Sequence, residues 1–181
     1  MPVTPGMHSL GPGDGTLRVH TYREGVAQKV GHDLIIEVRD WRATVEVGED
    51  GEPKAITLET HPSSLHVLEG HRGVKPLTDK DRAEIRTNMH EKILLGQPIS
   101  FESSAVELRT GRLAVRGQLT MAGATRPATF ELDVGELDGR VHGTLTVTQS
   151  EWGIKPYRAF MGALKVRDSV EIVLDVRLPT T

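Results

Sequence analysis

The feature that most constrains this chain is period-2 alternation of apolar and polar residues, repeated many times over. Leu17, Val19 and Thr21 alternate with Arg18, His20 and Tyr22, and Leu34, Ile36 and Val38 alternate with Ile35, Glu37 and Arg39. The same rhythm runs through Ala43, Val45 and Val47, through Leu113 to Met121, through Phe130, Leu132 and Val134, through Val141 to Val147, and through Val170 to Leu178. Successive side chains of a strand point to opposite faces, so each run predicts a strand with one dry and one wet face. That is the signature of antiparallel sheet. Between Phe101 and Leu108 the alternation changes phase, from odd-numbered apolar residues to Val106 and Leu108, which predicts a β-bulge near Ser103 to Ala105. Asp50-Gly51, Thr110-Gly111 and Asp138-Gly139 mark tight connections. Roughly eight strands on short links point to an up-and-down barrel or a sandwich.

One stretch breaks the rhythm. PLTDKDRAEIRTNMHEKILLGQP, residues 76–98, reads as a helix over about 79–95. Thr78 is its N-cap, Asp81 completes a short capping box, and Asp79, Asp81 and Glu84 suit the positive end of the helix dipole. Ile85, Met89 and Ile93, with Leu94 beside them, form a single apolar stripe, and Gly96 and Pro98 end the helix. The stripe predicts packing on the sheet, or closure of one end of a barrel.

Composition narrows the function classes. A net charge of -3 at pH 7 gives no basic footprint for nucleic acid. The absence of cysteine excludes disulfides, thiolate metal sites and a cysteine nucleophile. No stretch has the length and apolarity of a membrane-spanning helix. The first 15 residues, rich in Gly and Pro, are expected to be a flexible tail ahead of a single domain at 16–178. They lack the pattern of a signal peptide, so a cytoplasmic location is expected, or a periplasmic or secreted one if a signal has been removed.

The motifs of catalysis are missing. There is no G-x-S-x-G elbow, and GPGDG near the N-terminus lacks the lysine and context of a phosphate-binding loop. His61, His66 and His71 recur at a spacing of five, which is unlike common zinc-site spacings. They read as an exposed loop, with a metal site using them and His32 as the alternative. His32 itself reads as a turn or rim histidine. An enzyme is thus the less favoured class, and no catalytic residue or metal is assigned.

TQSEWGIKPYRAFMGALKV is a different kind of segment. It gathers Trp152, Ile154, Tyr157, Phe160, Met161 and Leu164, although the chain has only seven aromatic residues of the Phe, Trp and Tyr kinds. Loops are normally polar. Either this one folds back onto the core, or it lines the mouth of an apolar cavity, with Lys155, Arg158 and in addition Lys165 placed to meet an anionic head group.

Three blocks together resemble the YceI-like, polyisoprenoid-binding domain family: residues 64–106, with SLHVLEGHRGVKPLTDKDRAEI and QPISFESSAV; residues 115–134, VRGQLTMAGATRPATFELDV; and residues 142–176, which include TQSEWGI. The resemblance spans roughly residues 16–178. It implies an eight-stranded, lipocalin-like antiparallel β-barrel with the helix closing one end and an apolar channel inside. It further implies a polyisoprenoid, an isoprenoid quinone or a similar amphiphile as ligand. The residues expected to hold it are Leu34, Ile36, Phe101, Leu119, Phe130, Leu145, Trp152, Ile154, Tyr157, Phe160 and Met161, with Lys155 and Arg158 as head-group candidates. The expected partner is a hydrophobic small molecule, with no nucleic acid and no membrane span, and a homodimer as an option. A packed barrel with no ligand is the competing reading.

Overall fold

The alternating runs do become strands. A computed structural model describes residues 3–179. In chain order the strands are β1 (Gly6–Leu10), β2 (Gly15–Thr21), β3 (Arg23–Glu24), β4 (Asp33–Val38), β5 (Trp41–Val47), β6 (Pro53–Thr60) and β7 (Leu65–His71). Helix α1 (Asp79–Asn88) follows, then β8 (Ile99–Arg109), β9 (Arg112–Met121), β10 (Ala124–Val134) and β11 (Arg140–Thr148). The chain ends with β12 (Arg158–Ala159), β13 (Leu164–Val166) and β14 (Ser169–Arg177). Eleven strands form one antiparallel sheet in the order β1-β5-β6-β8-β9-β10-β11-β14-β2-β4-β7, and β12-β13-β3 form a small second sheet.

The large sheet curls strongly into a half-barrel. Eight strands were the expectation from alternation, and the count is higher for identifiable reasons. β7 lies in the segment that reads as an exposed histidine loop. Leu65 and Val67 are buried there, and β7 pairs with β4 through a register shift between Ile35 and Ile36 that interrupts its alternation. β1 lies inside the expected tail. Its backbone pairs with β5, and Leu10 at its end is buried in the core, so ladder and core contacts order a segment whose composition looks loose. Residues 1 and 2 of that tail lie outside the described residues.

Other local signals match the structure closely. The ladder between β8 and β9 shifts register between Ser103 and Ala105, where the phase change predicts it. Gly111 and Gly139 adopt left-handed φ of 69° and 65°, as tight turns require.

α1 begins with a complete capping box. Thr78 accepts from the Asp81 N–H, and the Asp81 carboxylate accepts from the Thr78 N–H. The helix then widens into a π-helical turn over Met89–Ile93, marked by a bond from Leu94 N–H to Met89 O (2.9 Å). The extra residue rotates the end of the stripe and carries Leu94 into the core. α1 packs along β7, a sheet edge: the Arg82 guanidinium donates to Val67 O and Leu68 O (2.9 and 3.0 Å), and Arg86 donates to Ser63 O (2.8 Å). Edge carbonyls that would invite another strand are thereby occupied.

Candidate functional site: an apolar cavity inside the half-barrel

The inward faces of the strands do not close on one another. They enclose a cavity of about 630 Å³. Ligand pockets usually measure about 300–1,000 Å³, so this one has room for a sizeable molecule. Its wall draws residues from the whole sheet: Leu17 and Val19 from β2, Leu34 and Ile36 from β4, Trp41, Ala43 and Val45 from β5, and Ile56 and Leu58 from β6. Phe101 of β8, Leu119 of β9, Phe130 of β10, Leu145 of β11 and Ile172 of β14 continue it. The Phe101 and Phe130 rings meet at 5.3 Å between centroids with a tilt of 58°, a favourable aromatic geometry. Phe101 is seated by Gly117 on the neighbouring strand. A Cβ at that glycine would stand 2.6 Å from the Phe101 ring and 2.3 Å from Glu102 O.

From the helix, Ile85, Met89, Ile93 and Leu94 all reach the lining. The expected stripe therefore faces the interior of the half-barrel.

Charge is confined to one end of the cavity. Arg23, His32, Lys75, Asp81, Glu84 and Lys165 line it there, with Val30, Tyr157 and Leu164. Arg23 organises this mouth: its guanidinium donates to Gln28 O (3.0 Å) and to Arg72 O, joining two loops, while its N–H donates to Asp33 (2.8 Å). His32 Nε2 lies 2.6 Å from Lys75 O, which fits its reading as a rim histidine.

The sequence-derived candidates separate into two groups. Leu34, Ile36, Phe101, Leu119, Phe130, Leu145, Ile154 and Tyr157 all line the cavity. Trp152 does not: it is buried, and its indole N–H donates to Leu119 O at 2.8 Å. It packs where β10 and β11 splay apart, since those two strands pair only through Asp133 and Val134 against His142 and Val141. Phe160 and Met161 stand outside the lining and are exposed, and Lys155 and Arg158 are exposed at the surface beside them. The structure therefore places Trp152 in the core and these four outside the cavity. Of the cations in this segment, Lys165 is the one in the cavity lining. Alternation already carried lining residues the candidate set lacks, among them Leu17, Val19 and Trp41, which shares the face of Ala43 and Val45.

The loop histidines do not converge. His61 Nδ1 lies 2.9 Å from Ser63 Oγ, His71 pairs with Glu69 at 2.8 Å, and His66 and His71 belong to β7. Burial, aided by Arg39 and Arg86, holds the His66 imidazole below the usual histidine range. No group of three His, Asp or Glu side chains among the described residues is arranged to hold a metal ion.

A curled antiparallel sheet with one capping helix around an apolar cavity defines a mainly β, lipocalin-like protein. No helix among the described residues is long and apolar enough to cross a membrane. The profile of the YceI-like domain matches residues 25–178, and the chain belongs to that family. Among solved structures, Burkholderia cenocepacia BcnA is similar at 14% identity, with 88% of this chain and 94% of that chain covered and a TM-score of 0.61. The Campylobacter jejuni YceI protein is similar at 10% identity, covering 81% of this chain and 84% of that chain with a TM-score of 0.56. At those identities the likeness is one of fold. A search of curated proteins finds no matching sequence.

Proposed function

We propose that this protein binds a long apolar or amphiphilic molecule of the polyisoprenoid class within the half-barrel, for carriage, storage or sequestration. The observation that carries the reading is the cavity itself: about 630 Å³, apolar along its length, with its charged lining gathered at one end. That polarity matches an amphiphile lying tail inward and head at the mouth. Lys165, Lys75 and Arg23 are the cations placed to meet an anionic or carbonyl-bearing head group. Apolar burial of about 25 cal/mol per Å² supplies the affinity, less the cost of association.

Native mass spectrometry of protein from its own source, followed by organic extraction, tests this directly. A co-purifying prenyl lipid is expected. A saturating prenyl quinone should also raise the unfolding temperature. At a hundredfold excess over Kd the gain is about 2.7 kcal/mol, or roughly 5–10 °C for a domain of this size. If no lipid is recovered and a series of prenyl quinones leaves both the melting curve and Trp41 fluorescence unchanged, the cavity does not serve this ligand class.

A further inference from the structure

Exposed apolar residues gather at the mouth of the cavity. Val26, Val30, Val74, Phe160 and Met161 are all exposed. Hydrogen bonds join their loops: Ala27 N–H donates to Ala163 O (2.8 Å), and Val74 N–H donates to Lys29 O (3.1 Å). Val30 belongs both to this surface and to the cavity lining, so patch and cavity are continuous. Large apolar side chains crowded on one end of a protein mark an interaction surface.

The backbone presents two of them deliberately. Phe160 and Met161 are consecutive non-glycine residues at left-handed φ of 50° and 55°. Bulky residues adopt that region at a cost, and such outliers concentrate at functional positions. Here the conformation holds both side chains out in water at the tip between β12 and β13.

Charge identifies what the patch meets. Lys29, Lys75, Lys155 and Arg158 are exposed in the segments around it and make no ion pair among the described residues. The acids nearby are matched by other groups: Glu24 pairs with Lys165 and Arg167, Asp33 with Arg72 and Glu84 with Lys80, and the Asp81 carboxylate caps α1. The mouth is thus locally cationic in a chain of net charge -3. A second copy docked by two-fold symmetry would set these cations against themselves. An apolar tip ringed by unpaired cations suits the interface of an anionic bilayer, where side chains enter the headgroup layer and Lys and Arg meet phosphates.

We infer that the mouth of the half-barrel docks on anionic phospholipid membrane, with Phe160 and Met161 entering the interface and Lys29, Lys75, Lys155 and Arg158 holding it there. The orientation places the cavity opening against the lipid. This goes beyond the ligand of the cavity, because docking requires no occupant.

Co-sedimentation with vesicles of phosphatidylcholine alone, and of phosphatidylcholine with phosphatidylglycerol, separates the two ideas, since neither vesicle contains an isoprenoid. Binding to the anionic vesicles is expected, with little to the zwitterionic ones, and release at high salt. Phe160→Ser with Met161→Ser should abolish it while far-UV circular dichroism and prenyl-quinone quenching of Trp41 stay as in the parent. Lys155→Gln with Arg158→Gln should weaken it by roughly fivefold per cation removed. Failure of the parent protein to bind anionic vesicles, or undiminished binding by the serine variant, overturns the inference. So does a sedimentation experiment in which the serine variant converts a dimer to a monomer without altering vesicle binding, since the patch would then be a self-association surface.

Discussion

Replacing Trp152 by Phe should weaken the fold and spare the cavity. The indole N–H donates to Leu119 O at 2.8 Å inside the core, and Phe cannot replace it. Leaving a buried polar group without its partner costs about 1–3 kcal/mol. The lost second ring adds about 1–2 kcal/mol at about 0.8 kcal/mol for each CH₂-sized group removed from the interior. Together these predict a loss of about 2–5 kcal/mol, or a fall of roughly 4–20 °C in unfolding temperature at about 2–4 °C per kcal/mol. The variant also makes its own reporter. The chain has two tryptophans, so Trp41, which lines the cavity, becomes the sole tryptophan and can be excited selectively at its red edge. Urea denaturation followed by circular dichroism gives the stability change, and titration with a prenyl quinone gives the affinity through Trp41 quenching. Affinity should stay within about threefold, equivalent to under 1 kcal/mol. A drop of less than about 2 °C in melting temperature, or strongly reduced affinity in a stable variant, would refute the assignment of Trp152 to the core.

Two further outcomes follow from other parts of the structure. Leu145→Trp, which projects extra bulk into the cavity from β11, should lower prenyl-quinone affinity at least tenfold, about 1.4 kcal/mol, with melting temperature little changed because the added ring fills cavity volume rather than packed core; unaltered affinity would take that wall out of the site. Asp175 is held below the ordinary carboxylate range chiefly by the Arg140 guanidinium, which donates to both carboxylate oxygens (2.9 and 2.7 Å), against an opposing push from burial. A depressed folded-state value means that stabilisation is present above the unfolded pKa of about 3.9 and is lost as pH falls through the folded value. Arg140→Gln should therefore lower stability slightly at neutral pH, as loss of an exposed pair does, and the difference should vanish in strong acid; a constant difference from neutral to acid pH would show that the pair is not its source.

How much of this was legible in sequence follows the range of the interactions. Alternation, the bulge between Ser103 and Ala105, and the capping box of Thr78 and Asp81 are written within a few residues of one another, and each reads correctly. β7 was illegible because its histidines and its register shift break the rhythm of Leu65 and Val67. β1 depends on the edge of β5, more than thirty residues away in sequence. Trp152 was placed by composition at the cavity, but its position is decided by a carbonyl 33 residues earlier. For Phe160 and Met161, hydrophobicity predicts burial, and the left-handed backbone turns them outward instead. Nothing in the letters FMG states that sign of φ.

The cavity has a cause in the same accounting. An eight-stranded barrel is narrow enough for its own side chains to fill. This sheet has eleven strands, curled but open, and a chain with only 4% aromatic residues to fill the wider space. Its inward positions are mostly Leu, Val and Ile, which coat the wall and stop short of the centre. Side-chain contacts forgone over about 630 Å³ amount, at about 24 cal/mol per Å³, to an upper bound on the order of 15 kcal/mol. Domains are stable by only about 5–15 kcal/mol in total. A chain selected for stability alone would fill such a space with a few Phe residues, and this one keeps Ala43 on the wall. Water recovers little of the deficit, because an apolar wall offers it few partners. A slender apolar molecule recovers much of it, because it restores dispersion contacts along the whole wall. Ligand bound to this wall should therefore stabilise the fold, and the unfolding temperature should rise with occupancy of the interior.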